Sequence, residues 1–252
     1  MGRFPAYEEH ARILTWTGLI AGVAALGMHA DILLVFFSPD RIGSLTLSAA
    51  VSLVSLQLAL IALVGALNPS LRGMSAALLV FASLLALPMH TGAAPTADSS
   101  FSMTWQTEVH VLVAMFSYSL LTAGAIVAAF ALVQERRLKA GRVLTSSHLF
   151  APLITTERLL YGITTVGFVG LALAVVSGLT FVKDLFAQHL IHKSVFSISA
   201  LVIFGTLLAG RTFAGWRGRR AIYLYLGGFA LLVLAYFGSR FILEQILNRS
   251  WG

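Results

Sequence analysis

Apolar residues run along this chain in blocks much longer than a soluble helix needs to cover one face of a core. Seven blocks stand out, at about 13–37, 45–67, 72–88, 105–133, 159–182, 194–210 and 221–243. A helix rises about 1.5 Å per residue, so roughly 20 apolar residues cross a hydrocarbon core of about 30 Å. Bare backbone groups are not tolerated in lipid, which restricts spans to helices or closed barrels, and these blocks exceed the length of a barrel strand. The pattern therefore predicts an all-α polytopic integral membrane protein. Residues 1–252 are read as a single transmembrane domain, one bundle of about seven helices. All six prolines (Pro5, Pro39, Pro69, Pro88, Pro95 and Pro152) fall between the blocks or at their edges, as expected where helix interiors need every backbone donor. The first block is too long for a cleaved signal and no small-residue cleavage site follows it, so it is expected to stay in the product. No internal repeat is visible, which gives no support to a transporter built from duplicated halves.

Composition narrows the chemistry. Charged residues make up 11% of the chain, about half of what a soluble domain carries. Cysteine is absent, which excludes a disulfide scaffold, thiol redox chemistry, iron–sulfur ligation and covalent haem attachment on this chain. The net charge of +7 invites a nucleic-acid reading until it is placed on the spans. The connection between the fourth and fifth spans holds Arg136, Arg137, Lys139, Arg142 and Arg158, and that between the sixth and seventh holds Arg211, Arg217, Arg219 and Arg220. Positive loops stay in the cytoplasm, so both connections are expected inside, with Arg3, Arg12 and Arg72. That leaves Arg41, Lys183, Lys193, Arg240 and Arg249 outside, and predicts a cytoplasmic N-terminus and an external C-terminus. The charge bias is thus explained by the bilayer as partner, and no nucleic acid is called for. Trp105, Trp251, Phe36 and Phe37 fall near the outer interface, where aromatic anchors are common. Gly170, Ala174 and Gly178 in the fifth span, and Gly18 and Gly22 in the first, recur every four residues and would let helix backbones approach closely.

The seven histidines are the most informative polar residues, because ionisable groups within spans are costly and mark sites or cavities. In this topology His10 and His148 fall in charged inner segments and read as surface residues. His29 lies roughly 12 Å inside the outer end of the first span, and His110 roughly 8 Å inside the outer start of the fourth. His90, His189 and His192 fall in outer connections near the same interface. A lone membrane histidine usually serves as a hydrogen bonder between helices. Five on one side, two at similar depth, match what bis-imidazole ligation of a flat apolar cofactor requires: two neutral nitrogens on separate helices facing across a slot. Haem, bound non-covalently as a b-type group, fits that requirement. The metal ligands expected are His110 and His29, with His192 and His189 as alternates. Haem propionates want cations at the water boundary, for which Lys193, Arg240 and Lys183 are the candidates, although headgroup contact explains Lys183 equally well.

Rival uses of the same residues are weaker. His189 and His192 stand i, i+3 beside Asp184, which allows a weak surface zinc site. Asp31 and Glu108 each lie two residues from a key histidine, about 200° around the helix, and are expected at the outer interface. Neither Gly-x-Ser-x-Gly nor His-Glu-x-x-His occurs, and no enzyme is read. The inner half holds no intramembrane histidine, so a two-haem electron wire across the bilayer has no ligands. A regulator or transport-complex permease without haem, using the basic loops for docking, is the alternative.

Three stretches carry a family resemblance: Glu108-Val-His-Val-Leu-Val-Ala-Met-Phe-Ser-Tyr118, His192-Lys-Ser-Val-Phe-Ser197, and Gly215-Trp-Arg-Gly-Arg-Arg220 leading to Leu-Ala-Tyr-Phe-Gly-Ser-Arg240. On these, residues 105–245 resemble the cytochrome c assembly protein family, the CcsA-like and CcmC-like polytopic haem-handling proteins, and most of all its smaller YpjD-like and HemX-like branch. Residues 13–90 match mainly as a membrane pattern. The resemblance implies a bacterial inner-membrane protein that handles haem in cytochrome c biogenesis, with cytochrome c maturation proteins as partners. It equates His110 with the outer-face histidine preceding the family's haem-binding segment and His29 with a histidine inside the bundle. The larger members carry a tryptophan-rich outer loop ending in Trp-Asp. No such loop occurs here, so haem binding is expected without synthetase activity. Members of the branch often show one more N-terminal span, so a start upstream of Met1 is allowed.

Overall fold

Every helix in the bundle answers the same demand, that a chain in lipid close its own backbone hydrogen bonds. The computed structural model describes residues 5–36, 47–91, 105–140, 152–181 and 191–238. Within them lie seven long α-helices: α1 Pro5–Phe36, α2 Leu47–Ala66, α3 Arg72–Thr91, α4 Trp105–Lys139, α5 Leu153–Phe181, α6 Ile191–Ala214 and α7 Arg219–Val233. A π-helical turn, Leu234–Gly238, continues α7, and a short 3-10 turn, Pro69–Leu71, precedes α3. All seven are long and apolar enough to cross a membrane. The predicted spans are all present.

Their ends run beyond the apolar blocks. Helix α1 begins at Pro5 and α4 continues to Lys139, because a charged turn outside the hydrocarbon can keep helical hydrogen bonds that hydropathy does not register. Arg136, Arg137 and Lys139 occupy the last turn of α4, where cations complement the helix dipole. Helix α3 continues three residues past Pro88, so this proline lies inside a helix rather than at its edge. It withholds one N–H from the Leu84 carbonyl, and in a last turn that loss does not end the helix.

Consecutive helices run antiparallel, and α4 stands at the centre, packed on α2, α5 and α7. Its Leu121 and Val127 are fully buried, as are Phe204 of α6 and Tyr225 and Leu232 of α7. Buried hydroxyls are satisfied in two ways. Thr122, Thr164 and Ser117 bond back to their own helices at 2.7, 2.6 and 2.8 Å. Others tie helices together: Ser55 to the Ala82 carbonyl at 2.7 Å, Ser119 to Gln57 at 2.8 Å, and Tyr225 to the Leu121 carbonyl at 2.9 Å. Water is not available to compete for such bonds in the bilayer, which makes them natural glue between spans.

Small residues set the α4–α5 spacing. A Cβ added at Gly170 would lie 2.2 Å from Ser117 Oγ, and one at Gly178 would lie 3.2 Å from His110 Cε1. In α1 only half of the stripe is used, since Gly22 meets Leu63 while nothing lies within 4 Å of a Cβ at Gly18.

The two ends of the bundle differ chemically. One gathers Arg72, Arg136, Arg137, Lys139, Arg158, Arg211, Arg217, Arg219 and Arg220. There Glu135 takes Lys139 at 2.7 Å and Arg219 at 3.1 Å, while Glu157 accepts the Gly218 N–H at 3.3 Å. The α6–α7 turn has Gly215 and Gly218 at φ 64°, a left-handed backbone that glycine adopts without Cβ strain. Between them Trp216 folds back to bond the Gly210 carbonyl at 3.1 Å and receives Arg220 over its ring at 4.4 Å. The Gly-Trp-Arg-Gly-Arg-Arg motif is thus the clasp of this turn. The opposite end carries His29, His110 and Lys193.

Candidate functional site

His110 sits in the second turn of α4, on the face that meets α5. Its Nδ1 lies 2.8 Å from Ser177 Oγ, and Ser177 in turn donates to the Ala174 carbonyl at 3.1 Å. Among the described residues Nε2 has no hydrogen-bond partner. Gly178, one residue on, leaves room for the ring edge. Lys193, in the first turn of α6, is near enough for its charge to act on His110.

The Lys193 ammonium lies 4.6 Å above the ring of Tyr236. A cation near a helix N-terminus opposes the helix dipole, and an aromatic face is one way to offset that cost. Tyr236 belongs to the π turn and is buried beside Tyr118, with ring centroids 5.8 Å apart and planes at 59°. Tyr118 donates its hydroxyl to the Leu232 carbonyl, two residues before the π turn begins. Helices α4, α5, α6 and α7 therefore each send a polar side chain or carbonyl to one neighbourhood. π turns occur often at functional sites, and this one places Tyr236 under Lys193.

His29 is placed differently. Its Nε2 lies 2.7 Å from Ser52 Oγ, a fully buried hydroxyl on α2. The two imidazoles do not hydrogen-bond to each other; each has its own serine on a neighbouring helix. Asp31 and Glu108 are exposed, as expected of residues turned away from their histidine neighbours. His192 lies in the first turn of α6 and His90 in the last turn of α3. Their side chains are outside the described residues, as are His189, Arg240, Lys183, Asp184 and His148. His10 is exposed on α1 at the basic end.

Ser177, Ser52, Tyr118 and Tyr236 were not singled out as site residues from the sequence. Ser177 had a signal, since it abuts the Gly170, Ala174, Gly178 stripe and so had to lie near a close helix contact. Tyr118 and Tyr236 occur within the quoted motifs, but nothing in sequence joins them.

No three His, Asp or Glu side chains among the described residues form a metal-holding group. Haem would not need one, because its porphyrin supplies four nitrogens and asks a protein only for one or two further donors. An imidazole anchored at Nδ1 with Nε2 unengaged suits that role, and a metal-ligating histidine ordinarily has its other nitrogen held in this manner. Ligation through Nε2 of His29 would require its bond to Ser52 to open.

A model of the family described as Cytochrome C assembly protein matches residues 16–247. The chain belongs to that family. The match takes in α1 to α3 as well as the later helices that carry the motifs. Among curated relatives, Inner membrane protein YpjD of Escherichia coli is 33% identical over 233 residues, 91% of this chain and 87% of that protein. An uncharacterized 28.8 kDa protein of Azospirillum brasilense is 31% identical over 144 residues, 56% of this chain and 53% of its own length. Cytochrome c biogenesis protein CcsA of Guillardia theta is 24% identical over 186 residues, 67% of this chain and 62% of that protein. No solved structure matches the chain.

Proposed function

We propose that this member of the cytochrome c assembly family is a haem-binding protein of the bacterial inner membrane, accessory to cytochrome c maturation. The location follows the likeness to an Escherichia coli protein named for the inner membrane, and the process follows the family and a relative named for cytochrome c biogenesis. The observation that carries the reading is His110, fixed through Nδ1 to Ser177 and, among the described residues, unengaged at Nε2. Bound there, haem would supply an iron that accepts a nitrogen donor, and His110 would provide one. His29, His192 and His189 are the candidates for a second donor, and Lys193 and Arg240 the cations for the propionates. With no cysteine in the chain the haem stays non-covalent.

The test is the reduced-minus-oxidised optical spectrum of detergent-purified protein with pyridine haemochrome quantitation. A bis-histidine spectrum near one haem per chain supports the proposal. Protein free of haem after expression with ample precursor would favour a regulator or permease subunit instead.

In this reading the histidine end faces outward and the basic end the cytoplasm. The chain has no cysteine, so single-cysteine variants report sidedness cleanly. Glu108→Cys and Ala140→Cys replace exposed residues at the histidine and basic ends. An impermeant maleimide should label Glu108→Cys in intact spheroplasts and Ala140→Cys only after lysis. The reverse pattern would invert the topology and turn the haem site to the cytoplasm.

A further inference from the structure

We propose that Ser177 is a positioning residue that fixes the tautomer of His110, presenting Nε2 as the lone-pair nitrogen. The proposal rests on the haem-binding reading of His110 for its use, but its first consequence is a property of the protein without any ligand. A serine hydroxyl has one hydrogen and two lone pairs. The Ser177 hydrogen is directed along its own helix to the Ala174 carbonyl at 3.1 Å, the intrahelical bond that serines in apolar helices favour. A hydroxyl so engaged can only accept from the imidazole 2.8 Å away. The hydrogen between them then sits on Nδ1, and in a neutral ring Nε2 is left unprotonated.

Two further observations bear on this arrangement. Nε2 has no partner among the described residues that would favour a proton there. Gly178 brings the α5 backbone so close that an added Cβ would stand 3.2 Å from His110 Cε1. The ring is therefore held at its Nδ1 edge by a hydroxyl and along its side by a helix, and a metal-binding nitrogen needs that fixed presentation.

His29 meets its serine through the other nitrogen. Its serine contact is made by Nε2 rather than Nδ1, so Ser52 occupies the nitrogen that Ser177 leaves unengaged in His110.

The experiment is nitrogen-15 NMR of the ligand-free protein, labelled at histidine and held in detergent at neutral pH, for wild type, Ser177→Ala and Ser177→Thr. His110→Ala assigns the resonances. The wild type should show His110 with a protonated Nδ1 and an unprotonated Nε2. Ser177→Ala should convert it to the other tautomer or a mixture, and Ser177→Thr, which keeps the hydroxyl, should restore the wild-type signals. A wild-type Nε2–H tautomer, or identical signals in Ser177→Ala, overturns the proposal.

Haem titration of the same proteins provides the second readout. Loss of an outer partner of a metal ligand typically weakens binding by about 10–100-fold, and that loss is expected for Ser177→Ala with recovery in Ser177→Thr. Haem binding that disappears in His110→Ala but is unchanged in Ser177→Ala sinks the positioning role and spares the haem site. The expected tautomers in a protein that never binds haem uphold the positioning role and sink the haem reading.

Discussion

Replacing His110 with alanine is expected to strip haem from the purified protein, leaving below about a tenth of the wild-type content and lowering affinity by more than about 100-fold. The argument is chemical. Without cysteine there is no thioether to retain the macrocycle, so occupancy depends on axial bonds and on burial of the porphyrin. On the haem-binding proposal, removing the anchored imidazole would take away a donor to the iron outright, a larger loss than the outer-partner effect argued for Ser177. The fold should tolerate the change. His110 is only half-buried, and Ser177 keeps its bond to the Ala174 carbonyl, so the stability cost is that of one exchanged hydrogen bond, about 1 kcal/mol. Loss of haem with an unaltered gel-filtration profile therefore separates ligation from misfolding. Added imidazole should return part of the spectrum by filling the vacated space. His10→Ala, at the exposed basic end, should behave as wild type. Equal haem content and equal spectra in His110→Ala and wild type would remove His110 from the site.

Much of the architecture was legible because the bilayer imposes one pattern. Apolar length alone located all seven helices, and the histidines stood out because so few ionisable groups enter the spans. Helix ends were less legible, since their limits depend on local capping rather than hydropathy. Pro88 is the clear instance: it marks a boundary in sequence and lies within α3. The partners of the histidines were not legible. Serines are scattered through every span, and which one faces a given imidazole depends on helix rotation and crossing. Ser177 meets His110 because Gly170 and Gly178 let α5 approach α4, whereas Ser52 meets His29 on a different helix. The expected slot shared by His29 and His110 was read from similar depth. Depth follows from residue counting, whereas facing follows from packing. The π turn was hidden for the same reason, since its register goes with tertiary contacts of Tyr118 and Lys193.

A second large effect is expected far from the histidines, at Gly124 in the centre of α4. A Cβ there would lie 2.0 Å from the Tyr225 hydroxyl and 2.6 Å from its Cζ. Tyr225 has nowhere to retreat. It is fully buried, bonds the Leu121 carbonyl at 2.9 Å, and packs edge-on to Phe204 with centroids 5.2 Å apart and planes at 70°. Gly124→Ala must push the phenol out of its hydrogen bond or separate α7 from α4. Overpacking and the orphaned hydroxyl together are expected to cost about 2–4 kcal/mol, read as a fall in thermal or denaturant stability in detergent. Gly162→Ala on α5 is the matched control. Nothing lies within 4 Å of its Cβ, so the usual helix preference for alanine applies and stability should rise slightly, by up to about 1 kcal/mol.

Steric and conformational explanations of a Gly124 effect separate in a third variant. The shortest contact is to the Tyr225 hydroxyl, so in a Tyr225→Phe background Gly124→Ala should cost measurably less, with the 2.6 Å approach to the ring carbon remaining. Such coupling is the mark of residues in direct contact. Equal costs in both backgrounds would mean that the Tyr225 hydroxyl is not what a side chain at this position disturbs, leaving the ring-carbon approach or the backbone of α4 to account for the cost.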